Sequence, residues 1–342
     1  MAVSLDGPST CFGIIDVLGN SMTHPSACCQ STIVSRVRTF GILVMMKIYI
    51  DGKYCDKEDA KISVFDHGVL YGDGIFEGIR AYNGRIFRLD DHLKRLDESA
   101  NAILLKLPMP IKEIEKAIIE TVRLNGLKDA YIRLVVTRGV GDLGLDMRKC
   151  KQGATIFIIA DRIELYPEEF YEKGLTLMTS TIRQKGLDQV TPGVKSLNYL
   201  ANILARAEAS AAGAQEAILL NVSGHVSECS GDNIFFIKDG KIFTPPTSAG
   251  ILAGVTRKVV MELCAQKLGN SVIERNFPRY DLYSADEVFL TGTGAEVIAG
   301  VKIDGRIIGK GTAGPVTKQL IKHFRDYANS TGTPVYEAVK AK

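Results

Sequence analysis

Val194-Lys195-Ser196-Leu197-Asn198-Tyr199-Leu200 sets a lysine at the mouth of an apolar segment, with a tyrosine four residues on. The spacing of Leu197, Leu200, Leu204 and Ala207 predicts a helix over 196–212, with Lys195 and Tyr199 projecting from one face. Lysine must lose its proton before it attacks a carbonyl, and burial beside other cations lowers its pKa enough to allow that. A lysine beside a phenol therefore suits a Schiff-base cofactor, the tyrosine holding the ring oxygen of a pyridoxal group. A solvated lysine at a helix start reads the same in sequence, so the remaining segments decide.

A chain of 342 residues exceeds what one ordinary core supports, which predicts about two domains of roughly 100–200 residues. Apolar residues make up 46% and charged ones 24%, a globular balance, and no window approaches the ~20 apolar residues of a membrane span. Basic residues number 42 against 39 acidic, without long blocks of either sign, so neither nucleic acid nor a membrane is expected as a partner. Seven scattered cysteines (Cys11, Cys28, Cys29, Cys55, Cys150, Cys229, Cys264) form no C-x-x-C pair, which points to reduced thiols in the cytoplasm. No two histidines stand at i, i+4, and no metal is expected. Residues 1–45 carry three of those cysteines, repeated Ser and Thr and no stable apolar period, so a disordered or artefactual extension before a start at Met46 is expected.

The dipeptides Asp51-Gly52, Asn83-Gly84, Asp239-Gly240 and Asp304-Gly305 stand between alternating apolar runs and predict hairpins, hence much antiparallel sheet. Strands are expected at 47–50, 53–56, 61–64, 75–82 and 85–88, then a helix from Asp90 with that aspartate as its N-cap. A helix over 111–124 stopped by Gly126 and buried strands at 131–137 and 154–160 complete the first half. The polar 164–169 stretch suggests an interdomain linker, placed at 166–170, between a small N-terminal domain (46–165) and a larger C-terminal one (171–342). Later strands are expected near 175–181, 216–222, 225–228, 233–238, 241–244, 271–275, 286–291, 296–303 and 306–308, with helices from Val255 and Pro315. This is an α/β chain of two units with mixed, α+β-type sheets.

Gly139-Val140-Gly141-Asp142-Leu143-Gly144 spells a dinucleotide fingerprint after a strand. That fingerprint needs a helix opening at its third glycine, and only residues 145–152 separate it from Gly153 and the next strand. A glycine-rich loop is expected instead.

Other segments supply what a phosphorylated cofactor needs. Gly254-Val255-Thr256-Arg257 opens an amphipathic helix, where free backbone N–H groups and the dipole favour an anion. Thr291-Gly292-Thr293-Gly294 ends a strand with two hydroxyls and a backbone that a ligand can approach. Glu228, read as following a strand at 225–227, suits a pyridine nitrogen that must stay protonated, and Arg95 lies off the main apolar stripe, able to reach a phosphate with its planar fork. Singly, each of these residues also reads as an ordinary helix start, turn or surface charge.

Together, F-E-G-I-R (76–80), H-x-x-R-L (92–96), Y-I-R (131–133), K-S-L-N-Y-L (195–200), E-C-S-G-D-N-I-F (228–235), G-V-T-R (254–257) and T-G-T-G-A-E (291–296) resemble the class IV pyridoxal-phosphate aminotransferases, above all the branched-chain amino acid aminotransferases. The resemblance runs from Met46 to about residue 330. It implies fold type IV, with pyridoxal 5'-phosphate in the cleft between two domains, and a homodimer or an assembly of dimers. It makes Lys195 the Schiff-base lysine, places Arg95, Val255, Thr256 and Thr293 around the phosphate, and sets Tyr199 and Glu228 on the ring. It places Tyr71, Phe76, Arg80, Tyr131, Arg133, Thr293 and Gly294 around the substrate, with Tyr71 reaching across from the other subunit.

The implied activity is transfer of the amino group of leucine, isoleucine or valine to 2-oxoglutarate in the cytoplasm. Arg80 and Arg138 are the candidates for the side-chain carboxylate of glutamate. Thr137-Arg138-Gly139 resembles the D-amino-acid aminotransferases, in which an arginine at that place captures the substrate carboxylate, whereas Val69, Tyr71 and Arg133 depart from that branch. Aminodeoxychorismate lyase is a second activity on the same scaffold, and Arg133 and the F-E-G-I-R segment speak against it. A nonenzymatic pyridoxal binder would need no substrate arginine.

Overall fold

The computed structural model describes residues 46–336, and the reading of residues 1–45 as an extension lies outside the described residues. Within them, both residues of Asn83-Gly84 have positive φ, 48° and 74°, and the other three Asx-Gly pairs share this left-handed conformation. Asparagine, aspartate and glycine tolerate it best, and its twist matches that of the strands it joins.

The first sheet is antiparallel throughout. Its order is Thr333–Pro334, Arg85–Ile86, Gly74–Tyr82, Ala130–Thr137, Thr155–Asp161, Lys47–Ile50, Lys53–Asp56. Leu93 and Leu96 of helix Leu89–Ala102, with Ile114, Ile118 and Val122 of helix Ile111–Leu124, bury one face of it against Ile75, Ile79, Ile132 and Leu134.

The second sheet runs Ile273–Glu274, Lys241–Thr244, Asn233–Lys238, Glu287–Gly292, Glu296–Ile303, Leu175–Arg183, Glu216–Leu220, Val226–Cys229, with Arg306–Ile307 beside Glu296–Ile303. It is mixed: Leu175–Arg183 lies parallel to both neighbours. Parallel strands need a crossover, and helix Leu200–Ala211 lies between Leu175–Arg183 and Glu216–Leu220 in the chain. Helices Val255–Leu268 and Pro315–Ser330 pack Val259, Leu263, Leu320 and Phe324 against Phe235 and Phe289.

Several expectations are corrected. No strand forms at 61–64, where all four side chains are exposed and alternation has no buried face to serve. The strand expected at 85–88 is only Arg85–Ile86, and the following helix starts at Leu89 after Arg88, whose φ is 49°, so Asp90 lies in the first turn and not at the cap. The helix after Lys195 begins at Leu200, and it buries Asn202, Ala205 and Ala209 while Leu200, Ile203 and Leu204 face outward. Small residues let that helix sit close to the sheet. Residues 166–170, where a linker is expected, stand between strand Thr155–Asp161 of the first sheet and Leu175–Arg183 of the second, and include the buried Tyr166 and the start of helix Glu168–Lys173. Residues 139–144 form a loop, followed by a single 3-10 turn at Met147–Lys149 where a dinucleotide fold requires an α-helix.

Candidate active site

Lys195 is placed by strand pairing, not by a helix face. The Phe76 N–H donates to the Lys195 carbonyl at 3.0 Å, the Leu197 N–H to the Gly74 carbonyl at 2.9 Å, and the Lys195 N–H to Ser99 Oγ at 3.2 Å. The segment therefore lies along strand Gly74–Tyr82, bridged at Ile75 and Ser196. Tyr199 precedes the helix as its N-cap residue, yet Lys195 Nζ reaches its hydroxyl at 3.3 Å. The amine also lies 4.5 Å from the centre of the Phe76 ring. Burial, then the Arg95 charge, push the Lys195 ammonium down to about 8.

Strand register builds the wall beside the lysine. Gly74–Tyr82 pairs with Ala130–Thr137 so that Phe76 faces Val135, Gly78 faces Arg133 and Arg80 faces Tyr131. With a period of two, these residues share one face and Ile75, Glu77 and Ile79 the other. A side chain at Gly78 would put its Cβ 2.3 Å from the Tyr131 hydroxyl, so glycine is what lets the phenol lie across the strand. Arg133 donates to that hydroxyl at 2.9 Å and stacks 4.6 Å from the Phe76 ring centre. Among the described residues Arg133 has no carboxylate partner.

On the opposite face of the strand, Glu77 is fully buried. It accepts from Arg95 Nε at 2.8 Å and Nη2 at 2.7 Å and from His92 Nδ1 at 2.8 Å. Burial alone would raise the Glu77 carboxyl, but the Arg95 charge and its hydrogen bonds outweigh that and hold it at about 2. Burial lowers His92, so that contact is a hydrogen bond from a neutral ring. Arg95 is thus buried on the helix and aimed by Glu77, with Nη1 donating to the Ala253 carbonyl at 3.1 Å.

Glu228 lies inside strand Val226–Cys229, close to the strand expected at 225–228, and is buried. It accepts from Gln184 Nε2 at 2.7 Å, the Leu252 N–H at 3.0 Å and Asn233 Nδ2 at 3.2 Å. Burial dominates and raises its carboxyl to about 8. Asn233 also fixes the chain at Gly254, where a Cβ would come 2.1 Å from Asn233 Oδ1. Helix Val255–Leu268 starts there without a side-chain cap, leaving its first N–H groups to a ligand or solvent.

Two adjoining cavities meet at Lys195. One, of about 90 Å³, is lined by Arg95, Gly254, Val255, Thr256 and the run Thr291–Gly294 (291–294). The other, of about 590 Å³, is lined by Arg133, Leu165, Tyr166, Tyr199, Arg206, Glu216 and Asp232. Phe76, Tyr131, Gly231 and Gly294 border both. Glu228 stands behind this lining, close enough to the amine for its charge to act on Lys195.

Three expected residues stand elsewhere. Arg138 clamps Asp73 through Nε and Nη2, both at 2.9 Å, and donates to the Leu104 and Ile103 carbonyls at 2.6 and 2.8 Å, which ties its fork to the end of a helix. Arg80 donates to the Gly294 carbonyl at 3.2 Å and pairs with Glu296 at 3.6 Å, behind the loop. Tyr71 ends the short helix His67–Tyr71, is 37% exposed, and accepts from the Gly144 N–H at 2.7 Å. None of the three lines either cavity. Glu77, His92 and Asn233 stood inside recognised motifs without a role: Glu77 and His92 find their partners in a different motif, and Asn233 meets Glu228 only once two strands bring them together. Gln184 carried no sequence signal at all.

This fold is that of the class IV aminotransferases: the family model for amino-transferase class IV matches residues 74–303, and the chain belongs to that family. Among its relatives, a protein of Methanocaldococcus jannaschii, provisionally named a branched-chain-amino-acid aminotransferase, is 49% identical over 85% of this chain and its own whole length. The branched-chain-amino-acid aminotransferase of Escherichia coli K12 is 36% identical over 81% of this chain and 91% of its own. The solved Escherichia coli branched-chain aminotransferase superposes with TM-score 0.81 at 34% identity, covering 85% of this chain and all of the other. The branched-chain aminotransferase of Thermobaculum terrenum, solved in its PLP-bound holo form, superposes with TM-score 0.77 at 30% identity, over 86% of this chain and 99% of its own.

Proposed function

We propose that this chain transfers the amino group of L-leucine, L-isoleucine and L-valine to 2-oxoglutarate, giving the branched 2-oxo acids and L-glutamate, with pyridoxal 5'-phosphate as its cofactor. The observation that carries this is Lys195, a partly buried amine brought down to about 8 and set 3.3 Å from a phenol, at the junction of an anion-suited cavity and a larger one. An amine of that acidity is substantially neutral near pH 8 and so is ready to add to a carbonyl.

The residues present fit the cofactor. Arg95, the uncapped helix start at Val255–Thr256 (255–256) and Thr293 line the small cavity and would hold a phosphate. Tyr199 would hold the ring oxygen, and Glu228 the proton on the ring nitrogen. When bound, the cofactor supplies a sink for the electron pair left at the substrate Cα. Lys195 would carry the proton from that carbon as base and return it as acid.

Arg133 would receive a substrate carboxylate. Of the arginines considered, Arg80 pairs with Glu296 and Arg138 with Asp73, whereas Arg133 faces the large cavity between two aromatic rings without a counter-ion among the described residues. That engagement of Arg138 weighs against the D-amino-acid branch. Phe76 and Leu165 supply apolar wall for a branched side chain.

A homodimer in the cytoplasm is part of the proposal, with Tyr71 serving the partner's site. Val64 and Phe65, Val69 and Tyr71 of helix His67–Tyr71, and Leu200, Ile203 and Leu204 on the crossover helix are all exposed, apolar surface that a second subunit would cover. No helix among the described residues is long and apolar enough to cross a membrane.

The test is a half-reaction screen. The purified holoenzyme is mixed separately with L-leucine, L-glutamate and D-alanine while the cofactor absorbance is followed. L-leucine and L-glutamate should each shift the band, and a response to D-alanine alone would overturn the assignment.

A further inference from the structure

Thr291 sits in strand Glu287–Gly292 directly across from Asn233 of strand Asn233–Lys238, so the two side chains share a face. Asn233 spends its amide on Glu228 and on the Leu252 carbonyl, at 3.2 and 2.9 Å. Thr291 spends its hydroxyl on nothing. The residue is 1% exposed, and among the described residues its Oγ1 is the only buried side-chain hydroxyl without a hydrogen-bond partner. A buried hydroxyl left unpaired is destabilising, and such groups mark places where something is missing. Thr291 lines the small cavity together with Arg95, Val255 and Thr256, a buried cation and an uncapped helix start.

We propose that Thr291 is a further residue of the anion cradle, its hydroxyl donating to an oxygen of a phosphate monoester seated between Arg95 and the start of helix Val255–Leu268. The proposal rests on the cofactor reading above and adds to it a ligand that the family resemblance did not supply. A hydroxyl adapts where an ammonium would be too long, and it reports on the phosphate alone, since the ring is held by other residues.

The test measures dissociation constants of the apoprotein for pyridoxal 5'-phosphate and for pyridoxal, by absorbance titration, in wild type, Thr291→Val and Thr291→Ser. Valine keeps the shape without the hydroxyl. It should weaken pyridoxal 5'-phosphate about tenfold, the worth of one hydrogen bond to a charged oxygen, and leave pyridoxal unchanged. Serine should behave as wild type. The valine apoprotein should melt no lower than wild type, because the hydroxyl it loses has no protein partner. Equal affinity of the valine variant and wild type for pyridoxal 5'-phosphate would overturn the proposal, as would equal losses for both ligands. Should the valine variant not fold, Thr291→Ala gives the same ratio. A wild-type apoprotein with no preference for the phosphorylated ligand would instead sink the cofactor reading itself.

Discussion

Replacing Glu77 by glutamine should cost the apoprotein about 3 kcal/mol at pH 7. The carboxylate is fully buried and takes two hydrogen bonds from Arg95 and one from His92. Its pKa of about 2 lies some two and a half units below the ordinary 4.5. At about 1.4 kcal/mol per unit this is roughly 3 kcal/mol, in line with the ~3–5 kcal/mol of breaking a buried pair and stranding its partner. The sign follows from the folded pKa lying below the unfolded one. The contribution is complete above pH 4.5 and is lost as pH falls towards 2. Urea unfolding followed by circular dichroism, at pH 7 and again at pH 3, measures both the loss and its narrowing in acid. Inorganic phosphate should narrow the gap at pH 7 as well, by giving Arg95 another anion. A loss under ~1 kcal/mol, or one that stays the same at pH 3, would refute the idea that this ion pair holds Arg95 in place.

Lys195→Ala should abolish transamination while the circular dichroism spectrum is retained, and borohydride reduction of the wild-type holoenzyme should place the pyridoxyl label on Lys195; label on another lysine would disprove the assignment. The rate at which the apoprotein's Lys195 adds to an aldehyde should rise through pH about 8, where burial and Arg95 have brought its pKa, and a rise delayed to the 10.5 of a free lysine would show the amine is not desolvated. Glu228→Gln should lower kcat at least ~10-fold, about 1.4 kcal/mol of transition-state stabilisation, since burial keeps a proton on that carboxyl up to about 8, where a pyridine nitrogen can take it, and the amide has none to give; an unchanged kcat would remove Glu228 from the ring. Arg133→Met should lower kcat/KM for L-leucine and L-glutamate by ~10-fold or more, the worth of a charge-assisted bond. Arg138→Met should instead lower the melting temperature with KM nearly unchanged, and the reverse pattern would restore Arg138 as the carboxylate receptor.

Local chemistry wrote much of this protein in its sequence. The Asx-Gly dipeptides determine four hairpins because few other residues tolerate two consecutive left-handed conformations. The period of two in Ala130–Thr137 and the period of 3.6 in Ile111–Leu124 determine strand and helix because each leaves one face apolar. The motifs at 195–200, 228–235, 254–257 and 291–294 also name the family, since each chemical role demands its own residue type.

What tertiary structure decided are the partnerships. Lys195 looked like a helix residue because leucines recur at helical spacing after it, yet pairing with Phe76 and Gly74 holds it in extended chain, and those partners are more than a hundred residues away. Arg95 reads as a surface arginine until Glu77 is folded beneath it. Arg138 and Arg133 are five residues apart with the same side chain, and only the fold gives one an aspartate and leaves the other facing the cavity. A charge is fixed by its sequence, but what it can do is fixed by which opposite charge the chain brings within about 3 Å, and sequence spacing carries no record of that distance.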